Sequence, residues 1–297
     1  MDGLNFKIFI LTAILTIVFS AIGFALLHFH LAGYGYTFFI LVPICIGYFL
    51  NERPSWKRSV AFAAIIGLVA FFYLLVTTQL EGIFCVITLF PLIAILIIIG
   101  MYLGFKIRQA INPDDNQLSL NFYPVMLILA TTIIEHYFVQ NYDYNKLESK
   151  IYLPYQPYKV FDYIKSVDTL DTDKPFLLQI GLPVPQKCIL TSDTIGSSRI
   201  CYFKEGTIDE RVVEYKRGKI LKMEVTKYGL PGRKWLKFIE ATYRFQPYNN
   251  GTMLTRITSY RTELKPRFYW AFWEEKAIEA EHEYVLNDLK RRLDVGL

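Results

Sequence analysis

The chain has 297 residues, enough for one or two domains; 53% of them are hydrophobic, and the formal net charge is +5. Residues 1–142 contain six basic and six acidic residues, whereas residues 143–297 contain 26 and 21. The basic residues of the second part are interspersed with acidic ones and form no nucleic-acid-binding motif, so nucleic acid is a poor candidate partner. The chemistry of the chain therefore changes near residue 140.

The first part contains four long stretches without acidic or basic residues. They are 8–50, 59–80, 82–105 and 116–134. A bilayer core ~30 Å thick needs about 20 apolar residues as a helix, and the first stretch is long enough for two crossings. The sequence thus predicts a helical membrane domain of about five spans over residues 1–142. Asn121 and Pro124 lie near the start of the fifth span, and a broken or re-entrant segment there is the alternative.

Basic residues in the short loops predict the orientation of these spans. All six lie on one side: Lys7, Arg53, Lys57, Arg58, Lys106 and Arg108. The sequence therefore predicts a multi-pass cell-membrane protein with a cytoplasmic amino terminus. Five crossings place residues 143–297 outside the cytoplasm, whereas four would place them inside. Because another span follows the first at once, we interpret the first as a retained signal anchor rather than a cleaved signal peptide.

The four cysteines are too few for a disulfide scaffold. Cys45 and Cys85 lie within predicted spans, where cysteine packs as a small apolar residue. Cys188 and Cys201 flank a turn at 192–197, which would bring them opposite each other. An extracytoplasmic domain could oxidise them, but cross-strand disulfide geometry is demanding, so both the bonded and the free form remain open. No His/Cys cluster indicates a metal, and no cofactor is expected.

From residue 148 the pattern indicates a folded domain with mixed secondary structure. Residues 150–154 are typical of a strand, 158–167 and 175–180 of short helices, and 266–294 of a long amphipathic helix. Between them lie six predicted strands: 184–192, 198–205, 206–216, 219–228, 234–247 and 251–264. Their hairpin signals are Glu205-Gly206, Arg217-Gly218, Pro231-Gly232 and Asn249-Asn250-Gly251.

This order of elements over about residues 146–295 resembles the START-like, birch-pollen-allergen-like helix-grip superfamily (SRPBCC; polyketide cyclase/dehydrase and lipid transport), in a membrane-tethered bacterial variant. The segments that carry the resemblance are 195–203 (IGSSRICYF) with Glu205, Gly206 and Glu210, 259–261 (SYR), 266–273 (PRFYWAFW), 282–286 (HEYVL) and, in the membrane half, 34–47. The resemblance implies an α+β domain over 143–297, in which a curved antiparallel sheet of about seven strands surrounds the last helix and encloses an apolar cavity. Family members bind sterols, lipids or polyketides, and some cyclise them. The loop at 229–234 is short for this family, which would leave the mouth of the cavity less covered.

The hairpin signals also predict which residues lie opposite each other. The predicted pairs are Phe203/Ile208, Cys201/Glu210, Arg199/Val212, Val212/Met223, Glu210/Val225, Phe245/Leu254, Tyr243/Arg256, Ala241/Thr258 and Ile239/Tyr260. Because side chains alternate between the two faces of a strand, the apolar partners identify the inner face. Arg199, Glu210 and Arg256 should therefore point inward.

Charged side chains on this inner face need partners, because burying an unpaired charge costs several kcal/mol. Arg199 and Glu210 are predicted diagonal neighbours, and we favour a structural ion pair at the cavity wall. Arg256 has no evident acidic partner, so it is a candidate for binding an anionic headgroup or a carboxylate. The alternative is an Arg256 side chain that bends to solvent.

Four further residues complete the candidate ligand-binding set: Tyr243, Tyr260, Trp270 and His282. A histidine on an apolar helix face is more often a hydrogen-bonded core residue than a general base, and its neighbours Glu281 and Glu283 are expected to point elsewhere. Trp270 is expected to pack as part of the lid, with ligand contact as the alternative.

The residues favour ligand binding over catalysis, although an enzyme is not excluded. The inner face offers no nucleophile–base pair, whereas a binding protein needs only an apolar cavity and a few polar groups. We therefore predict a membrane-anchored protein whose carboxy-terminal domain binds a hydrophobic or amphiphilic, lipid-like molecule. The alternatives are a cyclase- or dehydratase-type enzyme acting on a hydrophobic substrate, and a sensor or assembly module for the membrane helices. The spans lack internal charged residues, which argues against an ion-coupled transporter.

Overall fold

The computed structural model describes residues 3–29, 33–50, 58–78, 80–110, 117–138, 142–230 and 235–296. They form two compact units. The first consists of Met1–Glu81, Cys85–Asn141 and Glu263–Phe268, and the second of Gly82–Phe84, Tyr142–Thr262 and Tyr269–Leu297. Arg53 and Lys57, which contribute to the predicted orientation, lie outside the described residues. So do the predicted Pro231-Gly232 turn and most of the short loop at 229–234.

The first part of the chain is helical. Its helices are α1 (Gly3–His28), a π-helical turn (Thr37–Leu41) that continues into α2 (Val42–Leu50), α3 (Arg58–Thr77), α4 (Ile83–Ala110) and α5 (Gln117–Phe138). Three segments of the described chain are long and apolar enough to cross a membrane, namely Phe6–His28, Ser59–Thr77 and Ile83–Ala110.

The five predicted spans are therefore not confirmed. The predicted second span is an apolar helix over Thr37–Leu50, because the turn around Gly33 and Gly35 takes up the start of the apolar stretch. At 1.5 Å per residue this helix reaches only about 20 Å, less than the thickness of a bilayer core. Helix α5 contains Pro124 and begins with polar residues, and it is not among the three candidate spans.

Two glycines allow α2 and α4 to pack with their backbones close together. A Cβ atom added to Gly47 would clash with the carbonyl oxygen of Ile97, and one added to Gly100 would clash with the carbonyl oxygen of Ile44. Close backbone approach through small residues is a common way for helices to associate in membranes. Nearby, Arg108 lies over the ring of Tyr48 at 4.9 Å from the ring centroid.

The second unit is built on one curled, seven-stranded antiparallel sheet. Its strands are β1 (Asp143–Leu153), β2 (Pro185–Leu190), β3 (Ser198–Phe203), β4 (Thr207–Lys216), β5 (Ile220–Tyr228), β6 (Leu236–Tyr248) and β7 (Gly251–Thr262), in the order β1-β7-β6-β5-β4-β3-β2. Helices α6 (Pro157–Lys165) and α7 (Phe176–Gln179) lie between β1 and β2 in the sequence, and the last helix is α8 (Arg267–Val295).

The predicted elements of this unit are all present, but β1 is longer than expected. It begins at Asp143 rather than at residue 150, and it pairs with β7 along its whole length. Its half-buried residues alternate with exposed ones, yet several of them, such as Asn145 and Ser149, are polar. Because the inner positions of this strand are not all apolar, hydropathy alone could not reveal its first half.

The strand registers agree with most of the predicted pairs and correct two hairpins. Arg199 lies directly opposite Glu210, and Cys201 lies opposite Ile208, because the β3–β4 turn is centred one residue earlier than predicted. The partners shift by two residues, so each side chain stays on its predicted face. In β6, a bulge between Phe238 and Glu240 inserts Ile239, so Phe238 rather than Ile239 lies opposite Tyr260.

One end of the space between the sheet and α8 is filled by side chains. Val160, Phe161 and Ile164 of α6 belong to the same buried cluster as Phe245 of the sheet and Leu289 of α8. Proline at the first turn of α6 and a spacing of three to four residues between its apolar side chains favour this helix and its buried face. This end of the domain is therefore a packed core.

Candidate ligand-binding site

Arg199 and Glu210 form an ion pair on the concave face of the sheet. Arg199 Nη1 lies 2.6 Å from Glu210 Oε2, and both side chains are less than a tenth exposed. Arg199 Nε donates to the carbonyl oxygen of Lys165 at 3.1 Å, and Nη1 lies 3.3 Å from Cys201 Sγ. The predicted ion pair is thus present, between directly opposite residues rather than diagonal ones.

Arg256 also has an acidic partner, which corrects the prediction that it has none. Its Nη2 atom donates to both carboxylate oxygens of Glu281, at 2.8 and 2.7 Å. Glu281 therefore faces the sheet rather than pointing elsewhere, because α8 presents this residue to the middle of β7. Burial is the largest influence and opposes the charge of Arg256, but Glu281, Tyr243 and Glu210 together outweigh it and raise the pKa of the guanidinium.

The rest of the Arg256 guanidinium lacks hydrogen-bond acceptors. Its Nε and Nη1 atoms are buried, and no described residue accepts a hydrogen bond from them. The guanidinium lies over the ring of Tyr243, with Cζ 5.4 Å from the ring centroid. Burial raises the pKa of Tyr243, and the charges of Arg256 and Arg199 only partly oppose this shift, so the phenol stays protonated.

His282 is a neutral, fully buried core residue. Its Nε2 lies 2.7 Å from the hydroxyl of Thr258, and its Nδ1 lies 2.8 Å from the hydroxyl of Ser149. Burial, assisted by the charge of Arg256, lowers the pKa of His282 to about 2. Both ring nitrogens are engaged, so the geometry matches the hydrogen-bonded alternative rather than a general base.

The other two predicted residues pack in the interior. Tyr260 is 2% exposed and lies in a small cluster with Leu236 of β6 and Ile278 of α8. Trp270 is buried in the first turn of α8, with its ring centroid 5.1 Å from that of Tyr269. The structure thus brings Arg199, Glu210, Tyr243 and Arg256 into one electrostatically linked group and gives Tyr260 and Trp270 packing roles.

An apolar wall that the sequence did not single out lies near the β3–β4 turn. Four side chains are only partly buried there: Phe203, Val225, Tyr228 and Phe238. They pack against the buried residues Ile208 and Leu230 and against Cys188 and Cys201. In the sequence, these apolar residues alternate with others near strand ends, next to turn signals. This pattern does not show whether the side chains are partly exposed or fully buried. We call these four side chains the apolar wall.

Cys188 and Cys201 form a disulfide bond beside this wall. They lie directly opposite each other on β2 and β3, as the predicted turn requires. Of the two forms that the sequence left open, the structure has the bonded one. In the part of the chain that the structure describes, no group of three or more His, Cys, Asp and Glu side chains is arranged to hold a metal ion.

The family model for polyketide cyclase / dehydrase and lipid transport matches residues 145–294, which is half of the chain. The chain belongs to this family. The match covers the sheet and α8, so the superfamily resemblance of residues 146–295 is confirmed. Helix-grip proteins of this kind are known for binding hydrophobic ligands.

Several solved structures are similar to this part of the chain. A protein of the dynemicin biosynthetic locus, DynU16, is 16% identical with a TM-score of 0.34, over 51% of this chain and 48% of its own. The Aha1 dimer from Colwellia psychrerythraea is 14% identical with a TM-score of 0.32, over 51% and 98%. Truncated norcoclaurine synthase from Thalictrum flavum is 12% identical with a TM-score of 0.34, over 49% and 93%. No curated protein matches this chain significantly.

Proposed function

We propose that this family member is a membrane-anchored protein that binds a lipid-like amphiphile on the concave face of its sheet. The observation that carries the proposal is the apolar wall, whose four large side chains stay partly exposed on the inner face. Apolar surface that a folded domain leaves uncovered on a concave face is typical of ligand sites. The polar group around Arg256 and Tyr243 would then orient one end of the ligand.

Binding without catalysis is the simpler interpretation of the titratable groups. His282 is held by two hydroxyls, and Glu210 and Glu281 are each paired with an arginine. General acid–base catalysis needs a group that can exchange a proton with the substrate. These side chains are instead engaged with each other, so a cyclase or dehydratase reaction would first have to break an existing pair.

We further propose that the helices anchor the protein in the cell membrane with its carboxy-terminal domain outside the cytoplasm. This orientation requires both the Thr37–Leu50 helix and α5 to cross the membrane, which places all six basic residues of the first part on the cytoplasmic side. The Cys188–Cys201 bond also supports it, because disulfides persist mainly in oxidising compartments. A carboxy-terminal alkaline phosphatase fusion should be active, and a matching green fluorescent protein fusion dark. The opposite pattern would place the domain in the cytoplasm.

Native mass spectrometry of the full-length protein in detergent tests the binding proposal. We expect the protein to retain a lipid-like molecule, which can be released and identified. Val225→Trp would fill the space beside the apolar wall and should abolish this retention. Glu224→Trp is the matched control, because the neighbouring side chain is exposed on the opposite face of β5. Equal retention by wild type and both variants would show that the bound lipid belongs to the membrane helices.

A further inference from the structure

The charges next to Tyr243 balance each other. Arg199 and Arg256 supply two positive charges, and Glu210 and Glu281 supply two negative ones. The same four groups are the charges that act on the Tyr243 phenol. His282, whose pKa the charge of Arg256 also lowers, is neutral because burial lowers that pKa to about 2. This polar group therefore has no net charge for an ionic ligand to neutralise.

In contrast, some hydrogen-bond donors of this polar group lack an acceptor. Arg256 is 7% exposed, and its Nε and Nη1 atoms have no acceptor among the described residues. Its Nη2 atom is already bonded to Glu281, so Nε and Nη1 are the donors of Arg256 that remain unsatisfied. A buried donor without an acceptor destabilises the fold, so each of these donors requires an oxygen. The unmet requirement is for acceptors, which excludes an ammonium group as the binding partner.

Charge balance and the missing acceptors together select the class of ligand. A carboxylate or phosphate would satisfy the donors but would leave a net negative charge in a region shielded from water, which is unfavourable. A carbonyl, ester or ether oxygen would satisfy the same donors without adding charge. We infer that the site takes an uncharged amphiphile, whose acceptor oxygen binds Arg256 while its apolar part lies along the apolar wall. This inference rests on the proposed function and replaces the expected anionic headgroup with a neutral one.

Three probes with the same alkyl chain separate these possibilities, namely methyl hexadecanoate, hexadecanoate and hexadecylammonium. Their binding to the full-length protein in detergent can be compared by native mass spectrometry, at a pH where the acid is ionised. We expect the ester to bind at least about tenfold more tightly than the carboxylate, and the ammonium to bind most weakly. Tighter binding of the carboxylate would overturn the inference and leave the proposed function standing.

Two variants assign this preference to Arg256. The double variant Arg256→Met/Glu281→Leu removes both charges and keeps the group neutral, so it avoids an unpaired buried carboxylate. Its affinity for the ester should fall about tenfold, the loss expected for hydrogen bonds from a charged donor. Arg244→Met is the matched control, because Arg244 is exposed on the outer face of β6, and it should bind like the wild type.

The remaining outcomes are also decisive. Equal binding of all three probes, unchanged in the Arg256 double variant but lost in Val225→Trp, would show that water satisfies the Arg256 donors. That result would overturn the inference and retain the proposed function. No binding of any probe to the wild type would overturn both.

Discussion

Arg256 of β7 and Glu281 of α8 join the middle of this strand to the long helix through two hydrogen bonds from a single nitrogen, 2.7 and 2.8 Å in length. The Arg256 side chain is 9% exposed and that of Glu281 27%. This pair therefore links β7 to α8 through two residues that are 25 positions apart in the chain, and it keeps the Arg256 charge compensated.

Removing Glu281 should destabilise the protein, because it leaves a buried guanidinium without its partner. We expect Glu281→Ala to lower the free energy of unfolding by about 2–4 kcal/mol, somewhat less than for a fully buried pair. Urea unfolding of the full-length protein in detergent, followed by tryptophan fluorescence, measures this loss. Glu283→Ala is the control, because Glu283 is exposed on the same helix. Equal effects of the two variants would show that the pair contributes nothing.

An isosteric substitution in the Arg199–Glu210 pair should also lower the free energy of unfolding. Glu210→Gln keeps the shape of the side chain but removes its charge, so Arg199 would remain buried and uncompensated. We expect a loss of about 3 kcal/mol in the same unfolding assay. Asp209→Asn, one residue away on the other face of β4, should change stability by less than about 0.5 kcal/mol. A near-neutral Glu210→Gln would contradict this account of the pair.

His282 should make the stability of the protein depend on pH. Its pKa is lowered to about 2 in the folded protein, whereas an unfolded histidine titrates near 6.5. The unfolded chain therefore binds the additional proton as the pH falls below about 6.5, which favours unfolding. Between about pH 7 and pH 5, we expect His282 to account for about 2 kcal/mol of lost stability.

The variant His282→Gln can form hydrogen bonds without titrating, so it should lose less stability than the wild type between these two pH values. Parallel urea titrations measure the difference. His136→Gln, at an exposed position in α5, should keep the wild-type dependence. If His282→Gln and the wild type lost stability equally, His282 would not be the group responsible.

The disulfide predicts a pattern of thiol reactivity. In the unfolded, unreduced protein only Cys45 and Cys85 should react with an alkylating reagent, and all four cysteines should react after reduction. The bond closes a loop of 13 residues, so replacing both cysteines with alanine should cost about 2–3 kcal/mol. Mass spectrometry and urea unfolding check the two statements. Four reactive thiols before reduction would mean that the bond is absent.

Gly100 predicts a packing requirement in the helical part of the chain. A side chain at this position would clash with the backbone of Ile44, so Gly100→Val should push α2 and α4 apart. We expect destabilisation of about 1–3 kcal/mol, seen as a lower melting temperature in detergent. Gly82→Val is the control, because nothing lies within 4 Å of a Cβ atom added there. Tolerance of valine at Gly100 would show that this close approach is not required.

Local sequence patterns were sufficient to predict the order of elements in the second unit, but not the first half of β1 or the β3–β4 register. Alternating apolar residues, glycine-containing turns and the 3.6-residue period of α8 each indicate an element from neighbouring residues alone. The hairpin registers on both sides of Arg217-Gly218 and Asn249-Asn250 followed for the same reason, because a short turn fixes the pairing of its own strands. Ile239 shows the limit of this reasoning, since a bulge inside a strand leaves no turn signal.

The helical first part of the chain was less predictable, because apolar composition shows that a segment avoids water but not whether it is long enough to span a membrane. Thr37–Leu50 is apolar enough for a span, yet it is too short, since the preceding turn uses up part of the stretch. Length in a helical conformation, rather than hydropathy, separates it from the three candidate spans.

The amino-acid sequence by itself determined the order of the strands and helices, the family, and the inward direction of Arg199, Glu210 and Arg256. Only the tertiary structure decided what these side chains meet. Glu281 and His282 lie far from β7 in the chain, and their contacts with Arg256 and Thr258 depend on how α8 crosses the sheet. That crossing results from the packing of many apolar side chains at once, so no local pattern could show that the Arg256 charge is already balanced.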